Sequence, residues 1–372
     1  MIKVCHITSA HRAEDLRIFR KECASLAKAG YDVYLVERGE STEKMGVHIV
    51  GTGEMPEKRF LRMTLGTRRV YKKALELDCD IYHFHDPELL PYGLKLKKSG
   101  KKVIFDCHEN TVGQILEKGW LPGVMRKLIS FSYRLYQRYV CKKLDAVVSP
   151  HYQCDYFAKI NPKTFIIANY PILMPLPHNV VKNGKRICFI GGIDKRWCHD
   201  KIIKALENVT DCQYVMCGKD WDHYIDELKK LPAWSKVSYK GYLPQDEVYK
   251  ILVSSVVGLV VSTDHANMFN KQGTLGLVKI FEEMMAGLPI VCSDFTVWRD
   301  IVERWHCGIC VDPENVGDIS AAIKYLLDNP EEAKSMGENG RRAVETEFNW
   351  QSEEKKLLEL YEDLSSDIVP RI

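Results

Sequence analysis

The chain alternates apolar strand segments with amphipathic helix segments from end to end, and this pattern constrains its fold most strongly. Strands that alternate with helices form parallel sheets, which are buried on both faces, so each strand reads as a short apolar run. We therefore predict an α/β chain built from doubly wound Rossmann-like sheets. The predicted strands are Ile2–Ile7, Asp32–Val36, Ile81–Phe84, Lys102–Asp106, Ala146–Ser149, Phe165–Ala168, Ile187–Ile190, Tyr214–Met216, Val237–Tyr239, Val257–Val261, Ile290–Cys292 and Ile309–Val311.

A proline-rich segment, Asn169–Pro177, interrupts this alternation near the middle of the chain. At 372 residues the chain is longer than one hydrophobic core usually supports. We predict an N-terminal domain over residues 1–170, a hinge over 171–185 and a C-terminal domain over 186–350. The amphipathic last helix, about 351–372, carries Leu357 and Leu360 on one face, and we expect it to pack back on the first domain.

Composition indicates the compartment. No apolar run approaches the roughly 20 residues that span a bilayer, and no cleavable signal follows the first strand. The thirteen cysteines are scattered through predicted strands and helices, which favours buried thiols in a reducing compartment over a disulfide framework. Cys307 and Cys310 have a metal-ligand spacing without a second pair. We expect a cytoplasmic protein.

Positive charge is concentrated in the first half. Residues 1–170 hold 29 Lys and Arg against 19 Asp and Glu, whereas the remainder holds 24 against 31. Two stretches without an acid, Lys58–Lys73 and Lys118–Lys143, contain much of the excess, and aromatic residues interleave the second. Such helices can rest on an anionic membrane surface, although a solvated helix face with core aromatics explains the same pattern. No nucleic-acid-binding module accompanies the charge.

The segment Lys279–Ser293 predicts a nucleotide site. Its helix ends at Gly287 and Pro289, and an apolar strand follows. The N-terminus of such a helix faces the carboxyl edge of the sheet, where free N–H groups suit a diphosphate and Glu282 offers acceptors for a ribose diol. A solvated acid in the first turn is the alternative. The loop after the first strand lacks the glycines of a dinucleotide fingerprint, which argues against a nicotinamide dehydrogenase.

Ordered landmarks along most of the chain carry a family resemblance. The first domain has Glu14-Asp-Leu-Arg-Ile-Phe-Arg-Lys-Glu22, Tyr82-His-Phe-His-Asp-Pro-Glu-Leu-Leu-Pro91 and Lys101-Lys-Val-Ile-Phe-Asp-Cys-His-Glu109. The second has Phe189-Ile-Gly-Gly-Ile193, Lys240-Gly-Tyr-Leu-Pro244, Lys279-Ile-Phe-Glu-Glu-Met284 and Met336-Gly-Glu-Asn-Gly-Arg-Arg-Ala343. Together they resemble the retaining, nucleotide-sugar-dependent glycosyltransferases of family 4, in the branch that builds bacterial surface polysaccharides. The resemblance implies the GT-B architecture, two Rossmann-like domains facing across a cleft.

The resemblance also implies roles for individual residues. The implied catalytic residues are His108, Lys195, Arg196 and Lys279. The implied donor-binding residues are Gly191, Gly192, Leu243, Leu277, Val278 and Glu282. The candidate acceptor-binding residues are Asp15, Arg17, Asp86 and Glu109, although the two strand-end acids Asp86 and Glu109 are equally suited to capping the following helix. Two positions depart from the family pattern: Trp197 stands where a second cation is expected, and Thr274 where many members carry a first glutamate.

The implied reaction transfers a hexosyl group with retention from a nucleoside diphosphate sugar, a UDP-sugar by preference, to a hydroxyl of a glycan or lipid-linked glycan. We expect no cofactor and no metal ion, because no acidic pair of the metal-binding kind follows a strand. The expected partners are the donor, the acceptor and an anionic membrane surface, with no nucleic acid, so the protein would lie peripherally on the cytoplasmic face of the inner membrane. A nucleotide-sugar epimerase and a catalytically silent, regulatory relative remain as alternatives.

Overall fold

A computed structural model describes residues 1–12, 15–56, 58–150, 152–177, 182 and 184–368. The chain divides into two units, Met1–Asn169 with Trp350–Ile372, and Tyr170–Asn349. Each contains one doubly wound sheet, which confirms the predicted α/β class. The predicted hinge includes residues 178–181 and 183, which lie outside the described residues, so the hinge stays a prediction.

The first unit is built on an eight-stranded sheet with the order β3-β4-β2-β1-β5-β6-β7-β8, parallel except for β3. Its strands are β1 (Lys3–Ile7), β2 (Asp32–Glu37), β3 (Thr42–Lys44), β4 (Val47–Gly51), β5 (Ile81–Phe84), β6 (Lys102–Asp106), β7 (Ala146–Ser149) and β8 (Thr164–Ile166). Its helices are α1 (Ala24–Lys28), α2 (Arg59–Leu61), α3 (Thr67–Glu76), α4 (Leu90–Lys98), α5 (Thr111–Leu116), α6 (Gly123–Cys141) and α7 (Tyr152–Ala158), with α15 (Trp350–Ser365) from the chain end. Segments Leu16–Cys23 and Arg62–Gly66 are π-helical and run directly into α1 and α3.

The second unit has a six-stranded, all-parallel sheet with the order β11-β10-β9-β12-β13-β14. Its strands are β9 (Lys185–Ile190), β10 (Cys212–Cys217), β11 (Val237–Tyr239), β12 (Val257–Val260), β13 (Ile290–Ser293) and β14 (Gly308–Val311). Its helices are α8 (His199–Ala205), α9 (Tyr224–Leu228), α10 (Gln245–Ser254), α11 (Val278–Met285), α12 (Thr296–Trp305), α13 (Val316–Asp328) and α14 (Pro330–Thr346). The strand order reverses direction between β9 and β12, and the crevice at such a switch point is where doubly wound sheets bind ligands.

The core of the first unit lies on both faces of its sheet. One face packs β-strand residues such as Phe84 and Phe105 against α3, α4 and α6. The other packs Val4, Ile104 and Val148 against the Leu16–Lys28 helix and α15. Helix α15 buries an apolar face there, formed by Trp350, Leu357, Leu360, Tyr361 and Leu364. The C-terminal segment is therefore part of the core of the first unit.

The cysteines that the structure describes are free thiols, and nearly all are buried. This agrees with the sequence-based interpretation of a chain without a disulfide framework.

Candidate active site

The glycine loop after β9 lies against Lys279 from α11. A Cβ added to Gly191 would overlap the Lys279 ammonium, and one added to Gly218 would overlap the Gly191 carbonyl. The Gly191 N–H donates to the Cys217 carbonyl at 2.8 Å, which holds the loop against the end of β10. Gly191 also has φ of +144°, a conformation that favours glycine. The structure thus brings together Gly191 and Lys279, which are far apart in sequence.

Lys279 packs on aromatic rings. Its Nζ atom lies 3.6 Å from the Trp197 ring centroid and 4.4 Å from that of Phe189, within the range of cation–π attraction. Burial lowers the pKa of Lys279 to about 7, although the carboxylates of Glu283 and Asp194 oppose the shift. Trp197, which replaces the cation expected at its position, therefore serves to hold another cation.

Lys195 and Arg196 are both paired with carboxylates of their own unit. Lys195 Nζ lies 2.7 Å from a Glu227 oxygen. Arg196 binds Asp194 through Nε at 2.9 Å and Nη2 at 2.7 Å. Exposed ion pairs contribute only about 0–1 kcal/mol to stability, so a diphosphate can compete for both side chains.

Helix α11 presents an N-terminus without a side-chain cap. Leu277 is its N-cap residue and makes no side-chain capping hydrogen bond to the first turn. The helix ends as predicted: Gly287 has φ of +70°, its N–H donates to Met284, and the N–H of Leu288 donates to Glu283. The first-turn amides, including Val278, are thus available to an anion.

Adjacent glutamates of α11 have opposite environments. Glu282 is partly exposed and accepts a hydrogen bond from Gln245 Nε2 at 3.4 Å. Glu283 is fully buried against Gly258, and burial raises the pKa of its carboxyl group. Only Glu282 is placed to contact a bound molecule.

The three remaining positions of interest in this unit are Leu243, Thr274 and Gly192. Leu243, after β11, is partly buried. Thr274 is buried; its hydroxyl accepts from the Gly276 N–H at 3.0 Å, and its carbonyl accepts from Trp298 Nε1 at 3.1 Å. Thr274 therefore organises the loop that leads into α11, where many members of the family carry a carboxylate. Gly192 lies in the glycine loop after β9, where a Cβ would meet Trp221 Nε1 at 2.7 Å.

A pocket of about 230 Å³ lies in the first unit, beyond the ends of β1, β5 and β6. His108, Glu109 and Asp86 line it, together with His11. His108 points Nδ1 towards Asp106, 3.7 Å from Oδ2, and packs edge-on against the ring of His11 at 5.5 Å. Glu109 is exposed and accepts from Gln114 at 3.1 Å. Three residues predicted from strand ends therefore meet in one pocket.

Asp86 holds the loop after β1. Its Oδ2 atom accepts from the Thr8 hydroxyl at 2.9 Å and from the Ser9 N–H at 2.5 Å, and the residue is buried. It makes no side-chain cap for the helical turn that follows it, so the helix-capping alternative is wrong for Asp86. Its position in the pocket is fixed by the loop that it binds.

Asp15 and Arg17 differ from the expectation that both face an acceptor. Asp15 caps the Leu16–Cys23 helix by accepting from the N–H groups of Arg17 and Ile18 at 2.9 Å. Arg17 is buried and binds Asp106 through Nε at 2.9 Å and Nη2 at 3.1 Å. Arg17 is therefore a core residue behind the pocket, because its partner Asp106 ends a buried strand.

Sequence reasoning missed His11. Its Nδ1 lies 2.9 Å from Asp15 Oδ2, and its Nε2 lies 3.8 Å from Asp86 Oδ1. Burial opposes protonation, but the hydrogen bond with Asp15 and the charge of Asp86 raise the pKa of His11 to about 9. The sequence did contain a signal for His11, because a histidine four residues before Asp15 can pair with that carboxylate.

The second basic stretch forms an exposed amphipathic surface on α6. Val124, Leu128, Phe131 and Leu135 recur at helical spacing, and between 53% and 82% of each residue is exposed. Lys127, Arg134 and Arg138 lie exposed beside them. The aromatic Phe131 is thus not a core residue. Among the described helices, none has the length and apolar character needed to cross a bilayer.

Two family models match consecutive parts of the chain. Glycosyltransferase Family 4 matches residues 17–154, and Glycosyl transferases group 1 matches residues 176–343. Spore coat protein SA of Bacillus subtilis is 27% identical over 194 residues, which is 48% of this chain and 49% of that protein. The chain aligns with about half or less of the length of the curated relatives it matches.

Solved structures match over nearly the whole chain. Sucrose-phosphate synthase from Thermosynechococcus elongatus superposes with a TM-score of 0.77 at 16% identity, covering 98% of this chain and 99% of that one. Anabaena HepE in complex with UDP-glucose gives a TM-score of 0.72 at 13% identity, covering 98% and 100%. At these identities the likeness establishes the two-domain GT-B fold.

Proposed function

The chain belongs to the family 4 glycosyltransferases with the GT-B fold, and on that premise we propose that it transfers a hexosyl group from a nucleoside diphosphate sugar to an acceptor hydroxyl. One observation carries the proposal: Lys279 meets the glycine loop after β9 at the uncapped N-terminus of α11, one turn before Glu282. Cationic side chain, free amides and a partly exposed carboxylate are the groups that a nucleoside diphosphate requires.

The phosphate side of this arrangement suits a departing diphosphate. Breaking the bond between sugar and phosphate builds negative charge on the leaving oxygens, which fixed positive charge and amide dipoles stabilise. Lys279 and the amides of Leu277 and Val278 are the proposed fixed groups. Lys195 and Arg196 are the proposed mobile ones, released from Glu227 and Asp194 when the donor binds.

The nucleoside side is assigned to Glu282 and Leu243. A carboxylate can accept hydrogen bonds from both hydroxyls of a ribose, so Glu282 is the proposed ribose contact. Leu243 is proposed to lie against the base. UDP is the proposed nucleotide, supported by the likeness to HepE, whose structure contains UDP-glucose.

The pocket of the first unit is the proposed acceptor side. His108 is proposed to contact the donor sugar near the reacting carbon, with Glu109 and Asp86 beside the acceptor hydroxyl. We propose retention by a same-face mechanism, in which the leaving phosphate helps to deprotonate the acceptor. Because cationic side chains and amides serve the diphosphate, we expect transfer without Mg²⁺ or Mn²⁺.

The exposed surface of α6 supports a membrane-associated acceptor. An apolar stripe flanked by cations is the composition of a helix that lies in the interface of an anionic bilayer. We propose that the acceptor is a lipid-linked glycan of surface-polysaccharide synthesis, met on the cytoplasmic membrane face.

Incubation of the protein with a panel of UDP-, GDP- and ADP-sugars tests the function. Slow hydrolysis of one donor, with release of its nucleoside diphosphate, is expected with and without divalent ions. Binding of a donor without turnover, either alone or with lipid-linked acceptors, would favour the catalytically silent relative. Recovery of an isomerised nucleotide sugar would favour an epimerase.

A further inference from the structure

A cluster of buried histidines lies in the first unit, on the sheet face covered by the Leu16–Lys28 helix and α15. His6 of β1 is in register with His83 of β5, and His85 follows two residues later, so the alternation of side chains along a strand places it on the same face as His83. Glu22 reaches the cluster from the helix above. All four side chains are inaccessible or nearly so.

Three ligand atoms of this cluster form a compact triangle. His6 Nδ1 lies 3.0 Å from His85 Nε2, and Glu22 Oε2 lies 3.8 Å from each of these nitrogens. A point equidistant from the three atoms is about 2.1 Å from each, which is the length of zinc bonds to histidine and carboxylate. A ring nitrogen of His83 lies within 4.8 Å of the other ligand atoms.

Hydrogen bonds account for only part of the cluster, because His6 Nδ1 and His85 Nε2 pair with each other at 3.0 Å while other buried atoms there lack a partner. At 3.8 Å, Glu22 Oε2 is too far from both histidines for a direct hydrogen bond, and the described part of the structure gives this buried atom no hydrogen-bond partner. His83 Nε2 is likewise buried without a partner there. Buried polar atoms that lack partners are costly, so both point to an unseen ligand between them.

In His6 and His85, the ring nitrogen that points away from the proposed ion has a hydrogen-bond partner, as is usual for histidines that bind a metal. His85 Nδ1 lies 3.2 Å from Asp106 Oδ2, and His6 Nε2 lies 3.1 Å from the Tyr361 hydroxyl. A carboxylate or hydroxyl on the far nitrogen fixes the tautomer whose near nitrogen can bind a metal. Arg17 bridges Asp106 and Glu22 at 2.9 and 3.1 Å, which orients both carboxylates.

We propose that His6, Glu22, His83 and His85 bind a zinc ion in the core of the first unit. Imidazole nitrogens with one carboxylate favour zinc over Mg²⁺ or Ca²⁺, which prefer all-oxygen sites. The ion is structural, because all four proposed ligands are buried and together leave no open coordination position for a substrate. It ties together β1, β5 and the Leu16–Lys28 helix, behind the pocket that His108 lines. The proposal departs from the expectation of no metal, which considered acidic pairs after strands and the spacing of Cys307 and Cys310 but not the histidines.

Elemental analysis of the untagged, full-length protein tests the proposal. After loading with Zn²⁺ and gel filtration, close to one zinc ion per chain is expected. Reconstitution with Co²⁺ should give the intense visible absorption of a tetrahedral site. Stripping the metal with a chelator should lower the Tm, and Zn²⁺, but not Mg²⁺, should restore it.

Variants locate the ion. Glu22→Gln and His85→Asn should lose at least about tenfold in zinc affinity, measured by competition with a chromogenic chelator. Tyr361→Phe, which removes the hydroxyl beside His6 Nε2 but no ligand atom, should lose less. His48→Ala, a histidine change on the surface of the same unit, is the matched control and should bind zinc normally.

Substoichiometric metal in the loaded wild type, or wild-type zinc binding in both ligand variants, would overturn the proposal in favour of a proton shared among the buried groups. If the ligand variants do not fold, the stoichiometry and Co²⁺ spectrum of the wild type decide alone.

Discussion

At the scale of single residues, Glu282 and Glu283 are neighbours on α11 but point in different directions. One is placed to bind a ligand, and the other packs inside the protein. Glu283 is buried, while Glu282 remains accessible at the open side of α11. The sequence analysis assigned a role to Glu282 alone, and helical periodicity explains why the neighbouring Glu283 cannot meet the same ligand.

We predict that Glu282→Gln weakens UDP binding about 10- to 100-fold, because hydrogen bonds to a charged acceptor contribute roughly 1.5–3 kcal/mol. Isothermal titration with UDP and with 2′,3′-dideoxy-UDP provides the measurement. The wild type should prefer UDP, and the variant should lose most of that preference. The exposed Glu338→Gln on α14 is the matched control. If Glu282→Gln still prefers UDP to 2′,3′-dideoxy-UDP as strongly as the wild type does, Glu282 does not bind the ribose.

Lys279 makes donor binding depend on pH. With a pKa of about 7 in the free protein, its ammonium is mostly deprotonated at pH 8, whereas a bound diphosphate favours the charged form. UDP binding at pH 8 should therefore take up close to one proton, and affinity should fall by up to about tenfold per pH unit above 7. Titration calorimetry in buffers of different ionisation enthalpy measures the uptake.

Two comparisons test the Lys279 assignment. Lys279→Arg should abolish the proton uptake, because arginine stays charged throughout this range. The unfolded chain binds more protons at this lysine between pH 7 and 10.5, so the wild type should gain stability as pH rises across that window, and Lys279→Met should not show this gain. Proton uptake that persists in both variants would assign it to another group.

His108 should affect turnover without affecting nucleotide binding. It lies in the first unit, whereas the groups assigned to UDP lie in the second. We predict that His108→Ala lowers kcat about 100-fold or more, as loss of a group at the reacting centre does, with an unchanged Kd for UDP. His48→Ala serves as the control, and near-wild-type kcat in His108→Ala would contradict the role.

At the scale of elements, α6 changes the interpretation of the basic stretches. The sequence left open whether its aromatic residues belong to the core, since periodicity alone does not say which face of a helix is covered. In the structure the stripe of Val124, Leu128, Phe131 and Leu135 is exposed, with cations beside it. An exposed apolar stripe of this kind marks an interaction surface.

We predict that vesicles containing anionic lipid retain the protein at low salt. Phe131→Ser should weaken retention at every salt concentration, because it removes apolar area that the membrane would bury. Arg134→Glu should weaken it mainly at low salt, since each cation contributes about 1 kcal/mol near an acidic surface. Lys324→Glu, at an exposed position on α13, changes the net charge by the same amount away from α6 and serves as the control. Absence of retention by anionic vesicles in the wild type would contradict the membrane proposal.

The sequence predicted strands far better than side-chain environments. The twelve predicted strands all occur, because buried parallel strands have a clear apolar signal. Two strands were missed, β3 and β4. Thr42–Lys44 is short, polar and entirely exposed at the sheet edge, and Val47–Gly51 follows it after only two residues and is only partly buried. The burial of Arg17 and the loop-holding role of Asp86 could not be read locally, since their partners lie 89 and about 77 residues away in the chain.

At the scale of the whole molecule, the two units should respond separately to substitution and ligand. Leu357 of α15 is fully buried in the first unit. We predict that Leu357→Ala lowers the free energy of unfolding of that unit by about 2–5 kcal/mol, the usual cost of such a cavity. Calorimetry should show the loss, while the shift produced by UDP in the other unit stays as in the wild type. Loss of the UDP-induced shift would show that the units do not unfold independently.

The first unit is assembled from both ends of the chain, with the whole of Tyr170–Asn349 between its two parts. During synthesis on the ribosome, the strands of this sheet are therefore made before the Tyr170–Asn349 unit. Helix α15, which covers one face of the sheet, is made after that unit. At about 5–20 residues per second, the intervening unit takes roughly 10–35 seconds to synthesise. During that interval the hydrophobic surface around Val4, Ile104 and Val148 lacks the cover that α15 gives it, so the nascent chain exposes apolar surface of the kind that chaperones shield.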